Sequence, residues 1–324
     1  MIGAEEYWNL FKSNIVERFG KEPQLNGFLT ELKMAFGWML QNQHVEFVSQ
    51  NGGMAALFAR SIDSDNWSFG FLILPESEPS ADTFWAMLCS KVTQLGGAKF
   101  TGPIQGTTYF PYRFVIETDG SPFFKGEYFG SAEEHHFMMK QMPAKVNYYR
   151  SGYRDSFDGI MAVSKPYYDE AVTKGFEVRT HAKVDEALFR SVFEMVGAIF
   201  GTNWNFKDMS AAEARSFYEH EFGLDQRMAV QTIYLKGELI GFCWYIENDD
   251  DTLICKTLGV LPAYQKLGLG NAAVYEMHRC AQDAGYTRMI YALIYDGNRV
   301  QQNMPKDDSI IFRKYASYEF DLNE

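Results

Sequence analysis

One order of secondary-structure elements occurs twice in this chain of 324 residues. Each half contains two β-rich runs joined by a tight turn, a third apolar run, an amphipathic helix ending in glycine, and a further strand. Val45 lies as far before the turn glycine Gly52 as Val230 lies before Gly237. An offset that stays nearly constant over about 50 residues predicts a duplicated supersecondary unit. Because hairpin, strand and helix often follow one another, a chance likeness between unrelated halves stays open.

Matched positions extend beyond the hairpins. The third apolar run ends in Leu74-Pro75 in the first half and in Leu261-Pro262 in the second. Helices are predicted, in chain order, over residues 1–42 (two helices), 82–97, 185–200, 210–222 and 271–285.

The length of the chain favours about two domains, and the strands and helices in each half are typical of the α/β class. We place the boundary near residue 170, because residues 176–182 can form the first strand of the second unit. The predicted domains are therefore residues 1–170 and 171–324.

Charge and hydropathy exclude several classes of protein. The formal charge of −12, from 30 basic and 42 acidic residues, argues against a general nucleic-acid-binding surface. The sequence has no run of about 18 apolar residues, so we expect no membrane partner. The first 20 residues lack the basic-then-apolar order of a secretory signal peptide.

The cysteines argue against a disulfide scaffold and against zinc. Cys89, Cys243, Cys255 and Cys280 are scattered through apolar contexts and form no CxxC or zinc-spaced cluster. We expect them to be reduced, as in a cytoplasmic protein. The pair His135-His136 does not indicate a metal either, because adjacent helical side chains point about 100° apart. We therefore expect no metal cofactor.

The most specific motif is a glycine-bearing loop between a predicted buried strand and a predicted helix. Gly268 and Gly270 allow the backbone to turn and to approach an anion, so that successive N–H groups point inward. The N-terminus of the following helix adds free donors and about half a positive charge. Lys266 adds a full charge. This arrangement suits a diphosphate.

Two familiar phosphate-binding motifs do not fit this loop. A Rossmann fingerprint is absent because there is no GxGxxG, and Asn271 stands where a P-loop requires its Lys-Ser/Thr pair. Leu267 and Leu269 are expected to face the core and fix the loop. An ordinary tight turn from strand to helix would also account for the two glycines, and that alternative stays open.

With its neighbouring elements, the loop resembles the acyl-CoA signature of the GNAT superfamily of N-acetyltransferases. That signature reads Q/R-x-x-G-x-G/A after the fourth strand, often preceded by V-x-P. Here Val260-Leu261-Pro262 precedes Gln265-x-x-Gly268-x-Gly270, ahead of a helix. The resemblance covers residues 176–324 and reaches residues 45–105 only through the repeat. It implies two acyl-CoA N-acyltransferase-like units, each a mixed, mostly antiparallel sheet flanked by helices.

The resemblance also implies a site for acetyl-CoA or another acyl-CoA. The backbone of Leu258 and Val260 would bond the pantetheine arm, between fourth and fifth strands that splay apart. Asn298, after the fifth strand, would line the cofactor. The pyrophosphate would lie on the loop, whose implied cofactor-binding residues are Gln265, Lys266, Leu267, Gly268, Leu269, Gly270 and Asn271.

The family's catalytic positions are matched less well. The family often has a Glu on the fourth strand, and this chain has none at residues 253–256. Glu247, near the turn before that strand, is the candidate base. If a helix resumes at residue 309 after an inserted loop, Tyr315 is the candidate acid. Trp204 and Phe206 lie where the family places acceptor-binding residues.

The first half has no matching loop. Glu76 and Glu78 would repel a diphosphate, and Pro79 lacks an N–H donor. We therefore expect a degenerate first unit that binds no CoA.

Taken together, these features predict an acyl-CoA-dependent N-acetyltransferase that acts on the amine of a small acceptor by direct attack. Two alternatives stay open. One is a non-catalytic acyl-CoA sensor or interaction module. The other is an aminoacyl-tRNA-dependent transferase, which the acidic charge and the retained diphosphate loop disfavour. The sequence leaves the acceptor and the oligomeric state undetermined.

Overall fold

The computed structural model describes residues 2–141, 144–221, 223–297 and 309–323. The α-helices of this described part are α1 Ala4–Phe19, α2 Leu25–Asn42, α3 Glu78–Gln94, α4 Ala132–Lys140, α5 Asp158–Thr173, α6 Glu186–Phe193, α7 Val196–Phe200, α8 Ala211–Glu221 and α9 Leu269–Asp283. The strands are β1 His44–Gln50, β2 Gly53–Ala59, β3 Asn66–Ile73, β4 Lys99–Gly102, β5 Phe114–Thr118, β6 Ala144–Arg154, β7 Phe176–Lys183, β8 Asp225–Leu235, β9 Glu238–Glu247, β10 Thr252–Val260, β11 Arg288–Tyr295 and β12 Ile310–Asp321.

The chain divides into two compact units. Unit 2 is Tyr149–Phe312, and unit 1 comprises the residues before it together with the chain from Arg313 onward. Helix α5 therefore falls in unit 2, where it packs along α9 with the Tyr168 and Tyr275 rings 4.8 Å apart. These two units, which are separated by their internal contacts, differ from the domains predicted with a boundary near residue 170. That residue 170 separates two copies of one fold stays a prediction.

In unit 1 the strands β1, β2, β3, β4 and β12 lie side by side in that order. The hairpin β1–β2 and the pair β2–β3 are antiparallel, whereas β3 and β4 are parallel. β12 runs antiparallel to both β4 and β5. The strand β2 is buried along its whole length because α3 packs against it and the aromatic side chains of α1 and α2 fill the unit's core.

In unit 2 the order is β6, β11, β10, β9, β8, β7. Only β10 and β11 form a parallel pair, and the other neighbours are antiparallel. On one face, α5 and α9 cover a core that includes Tyr245 and Met277. On the other face, α6 packs on β9 with the Phe189 and Trp244 rings 5.6 Å apart. The mixed, mostly antiparallel sheet flanked by helices confirms the predicted fold class.

Two predicted helices are wrong. The helix predicted over residues 185–200 breaks into α6 and α7, because the N–H of Met195 bonds the carbonyl of Val192 in a tighter turn. The helix expected from residue 309 is the strand β12 instead. Its run of Ile, Phe and Tyr side chains favours a strand, and β4 and β5 both pair with it.

A buried ion pair fixes β12 in unit 1. Arg313 Nη1 donates to Glu127 Oε2 at 2.6 Å, and the two side chains are 1% and 0% exposed. The Tyr315 hydroxyl donates to the other oxygen of the same carboxylate. Removing one partner of such a pair leaves a buried charge without compensation, which is far more costly than losing an exposed pair.

We therefore expect Arg313→Met to lower the free energy of unfolding by about 3–5 kcal/mol. The neighbouring residue supplies a matched control, because Lys314 pairs with Glu117 at 2.7 Å on the exposed side of the strand. Lys314→Met should cost about 1 kcal/mol or less. Denaturant unfolding followed by circular dichroism measures both variants, and equal losses would contradict the assignment.

Candidate functional site

Strands β10 and β11 separate part-way along their length. Their parallel pairing runs from Thr252↔Arg288 to Cys255↔Tyr291, after which β10 continues to Val260 and β11 to its own end without pairing each other. The register of β10 with β9 also shifts between residues 255 and 257. We call this opening the fork, defined by residues 256–260 of β10 and 292–295 of β11.

A bulge on β11 directs the second arm of the fork away from β10. The register between β11 and β6 shifts between Tyr291 and Ile294, and Leu293 adopts a φ of 56° in the left-handed region. The N–H of Leu293 donates to Ser151 Oγ at 2.9 Å. A side chain of β6 therefore accepts this hydrogen bond in place of a backbone carbonyl. The divergence of β11 is thus stabilised within unit 2.

The open edge of β10 presents backbone groups to the fork. The N–H of Leu261 donates to the Ile240 carbonyl of β9 at 2.8 Å. Because backbone groups alternate direction along a strand, those of Leu258 and Val260 face the other way, toward the fork. The Val260 carbonyl accepts from the Gln265 side chain at 3.0 Å. The edge can therefore hydrogen-bond an extended, amide-bearing chain.

The glycine loop follows directly and is rich in unused donors. Lys266 and Gly268 have φ of 67° and 76°, a repeated left-handed geometry that turns successive N–H groups to one side. Within the described part of the chain, the N–H groups from Lys266 to Gly270 make no hydrogen bond, and the α9 N-terminus has no side-chain cap. The loop can therefore hold an anion such as a diphosphate.

Two of the backbone donors that the family resemblance implies for the pyrophosphate are already hydrogen-bonded within the chain. The N–H of Gln265 bonds the Pro262 carbonyl at 3.3 Å, and the N–H of Asn271 bonds the Gly268 carbonyl at 3.1 Å, so neither is available as a backbone donor. Leu269 is 4% exposed, whereas Leu267 is 57% exposed, and the expectation that Leu267 faces the core is wrong. Leu269 is the first residue of α9 and points inward, whereas Leu267 precedes the helix and points outward.

The bulge in β10 decides which side chains share a face. Cys255, Leu258 and Val260 all pack toward the cores beneath α9. An extra residue in the strand places both Lys256 and Thr257 on the opposite face. Lys256 Nζ lies 5.7 Å from the Tyr218 ring centre on α8. The sequence-based predictions did not include Lys256, although a lysine inside an apolar strand is a signal that could have identified it.

The face beneath α6, α7 and α8 is tightly built. A Cβ on Gly259 would lie 2.9 Å from both Ile199 Cγ2 and Phe200 Cζ, so only glycine lets α7 approach β10 this closely. Trp204 and Phe206, the predicted acceptor-binding residues, are half-buried in the connection from α7 to α8. Their role in binding the acceptor stays a prediction.

Glu247 lies at the far end of β9 from the fork. It pairs with Leu253, whereas Trp244 pairs with Thr257 in the fork, a separation along β9 of roughly 10 Å at about 3.3 Å per residue. Arg227 Nε donates to it at 3.0 Å, and Tyr286 also donates to it. Partial burial opposes ionisation, but these hydrogen bonds prevail and lower the pKa of Glu247. These hydrogen bonds hold Glu247 in place, and its role as a base stays a prediction.

The structure also removes the reason for choosing Tyr315 as the acid. Tyr315 is fully buried on the strand β12, in unit 1, where it bonds Glu127. Its assignment rested on the helix that the structure replaces with a strand, so the reason for it is gone. Asn298 lies outside the described residues.

In unit 1 the corresponding strands do not leave an open edge. The parallel pairing of β3 and β4 ends at Ser68↔Thr101. The chain after β4 then closes on β3. Ile104 N–H donates to the Phe69 carbonyl at 3.0 Å, and Gln105 Oε1 accepts from Phe71 N–H at 2.7 Å.

Two further features close this region of unit 1. A Cβ on Gly70 would lie 1.9 Å from the Ile104 carbonyl oxygen, which shows how closely the segment is inserted. The connection from β3 to α3 spans only residues 74–77, against residues 261–268 from β10 to α9. It carries Glu76 and no glycine. Unit 1 therefore lacks both the open edge and the anion loop.

The fork and the loop fall within a recognised family domain. A sequence model of the acetyltransferase (GNAT) family matches residues 189–306. This segment of the chain is similar to that family. The search of curated proteins gave no match.

Solved structures extend the likeness of fold beyond that segment. One is a tandem GNAT protein from the clavulanic acid biosynthesis pathway, with TM-score 0.56, 9% identity, and coverage of 99% of this chain and 97% of that one. Another is a GCN5-related glucosamine N-acetyltransferase region of a fungal multi-domain β-N-acetylglucosaminidase, with TM-score 0.56 and 12% identity. The match covers 98% of this chain but spans only 37% of the fungal protein. At these identities the likeness is one of fold.

The part of the chain that the structure describes contains neither a cluster of metal-ligating side chains nor a membrane-spanning helix. Among those residues, His, Cys, Asp and Glu side chains form no group of three or more suited to a metal ion. No described helix has both the length and the hydropathy needed to cross a membrane.

The two loop glycines give a matched pair of variants. Gly268 has a φ of 76°, whereas Gly270 lies within α9 with open space around an added Cβ. Gly268→Ala should lower the free energy of unfolding by about 1–2 kcal/mol, the cost of a left-handed non-glycine residue. Gly270→Ala should be neutral or stabilising by up to about 1 kcal/mol. Chemical denaturation measures both, and equal destabilisation would refute the loop geometry.

Proposed function

We propose that the GNAT domain binds acetyl-CoA and transfers its acetyl group to the amine of a small acceptor. The observation that carries this proposal is the adjacency of two backbone features. The open edge of β10 at Leu258 and Val260 runs directly into the donor-rich loop from Lys266 to Gly270. An extended amide-bearing arm that ends in a diphosphate matches both in order along the chain.

Each part of the site has a defined task. The edge of β10 orients the pantetheine amides, and the loop with Lys266 and the α9 N-terminus holds the pyrophosphate. Acetyl-CoA supplies an activated thioester as the acyl donor. The fork places that group beside Lys256 and Thr257, on the face beneath α6 to α8. A neutral amine then forms the new C–N bond as the C–S bond breaks, and its proton passes to the leaving thiolate.

We further propose that each chain binds a single acetyl-CoA. In unit 1 the edge of β3 already bonds Ile104 and Gln105, and the connecting segment carries Glu76. Ile104 and Gln105 would therefore compete with a pantetheine arm for the same backbone groups of β3. Unit 1 thus keeps the scaffold without the cofactor site.

Calorimetric titration with acetyl-CoA should give a stoichiometry of one per chain. Gly268→Glu places a carboxylate among the loop donors and should abolish detectable binding, because a like charge next to a diphosphate repels it. Gly27→Glu introduces the same charge at an exposed helical position in unit 1 and serves as the control. A stoichiometry of two, or unchanged affinity in Gly268→Glu, would contradict the assignment.

Turnover separates this proposal from a sensor. In the described residues 256–260 of the β10 arm no side chain is a carboxylate, which favours a non-catalytic acyl-CoA-binding module as the second candidate. Thiol release from acetyl-CoA with a broad amine panel decides between them. Binding with no release on any amine supports the sensor, and acceptor-dependent release supports the transferase.

A further inference from the structure

We propose that the acceptor carries an anionic group, a carboxylate or a phosphate, together with its amine. This proposal rests on the proposed function and specifies the acceptor class of that site. The observation behind it is a cluster of nitrogen donors set among aromatic rings on the face beneath α6 and α8, one residue beyond the point where β10 and β11 part. We call these side chains the donor cluster: Lys256, Trp244 and Arg215.

Aromatic rings hold the donor cluster together. The Trp244 ring lies 4.8 Å from that of Tyr218 and 5.6 Å from that of Phe189. Lys256 Nζ lies 5.7 Å from the same Tyr218 ring, and Arg215 Cζ lies 5.9 Å from the Phe189 ring. The three donors are therefore linked within unit 2 through the rings of Tyr218 and Phe189.

Two members of the cluster, Trp244 and Arg215, have unused hydrogen-bonding capacity. Trp244 is 4% exposed, and its Nε1 has no hydrogen-bond partner among the described residues. The Arg215 Nη1 atom is likewise shielded and without a hydrogen-bond partner there, while its Nε lies 3.9 Å from Glu219. A buried donor left without an acceptor costs free energy, so such positions are usually satisfied by a ligand or water.

The positive charge of the donor cluster indicates the kind of ligand that it binds. Lys256 is cationic, and Trp244 and Arg215 can only donate hydrogen bonds. A polyamine or an aminoglycoside would bring further cations to this cluster and would be repelled. An anionic group can accept from these donors, and the surrounding rings accommodate an apolar body. The charge of the preferred ligand depends on the donor cluster and not on the acidic net charge of the whole chain.

The position of Lys256 couples this selection to the reaction. The β10 bulge puts its side chain on the acceptor face and only one residue past the last β10–β11 pair, Cys255↔Tyr291. An acceptor held there by its anionic group keeps its amine within reach of the fork. Lys256 acts in this proposal as a specificity-determining residue.

Matched acceptor pairs test the proposal with the full-length protein. L-phenylalanine is compared with phenethylamine, and O-phosphoethanolamine with ethanolamine, by kcat/KM from thiol release. The wild type should prefer the acid member of at least one pair by about 10- to 100-fold, the range expected for one charge-assisted hydrogen bond. The pair that shows the preference identifies the group as carboxylate or phosphate.

Lys256→Met keeps the length of the side chain and removes its charge. It should abolish most of the preference, and a far-UV circular dichroism spectrum that matches the wild type shows that the variant is folded. Lys183→Met, at an exposed position on β7, makes the same change of charge and should retain the preference. An unchanged preference in Lys256→Met or a wild-type preference for the plain amines would overturn the proposal. Acetylation of no member of any pair would count against the proposed transferase, and the binding experiment below then decides the anionic subsite by itself.

A binding experiment separates this proposal from the proposed function. N-acetyl-L-phenylalanine and N-acetylphenethylamine are titrated into the protein without CoA. Tighter binding of the acid that Lys256→Met weakens supports the anionic subsite even if acetyl-CoA fails to bind. Equal binding of the two compounds refutes the subsite even if acetyl-CoA binds and is turned over.

Discussion

The site depends on a parallel strand pair that stops after four residue pairs, from Thr252↔Arg288 to Cys255↔Tyr291. A parallel pair inside a mostly antiparallel sheet gives two strands that can separate at one end without breaking the rest of the sheet. Bulges on both strands set the point of separation, and Ser151 stabilises the divergence of β11. The open backbone edge, the route into the glycine loop and the placement of Lys256 all follow from that separation.

The two units differ at the end of the parallel strand pair that each contains. In both, a parallel pair ends early and a helix follows the inner strand. In unit 1 the chain itself completes the hydrogen bonds of β3 through Ile104 and Gln105, and the short connection to α3 leaves no loop. In unit 2 the longer connection folds into left-handed turns at Lys266 and Gly268. The difference lies in a few residues next to the strands rather than in the order of elements.

Local signals predicted much of the fold and one part of the site. Both hairpins, the apolar strands and the helix α9 were predictable because turn glycines and hydrophobic periodicity act over short distances. The residues of the glycine loop were predictable for the same reason. The direction of individual side chains was not. Leu267 points outward, α6 and α7 are separate helices, and Tyr315 lies on a strand because β4 and β5 pair with it.

The sequence by itself determined the order of elements, the duplication pattern and the residue types of the anion loop, since these depend on local propensity and spacing. Only the tertiary structure decided which backbone edge is open, which helix layer faces Lys256 and which side chains hold Glu247. Those properties depend on strand register and on bulges, and a single inserted residue moves a side chain to the opposite face of the sheet. No pattern within one strand encodes that outcome, because it is fixed by the partners on either side.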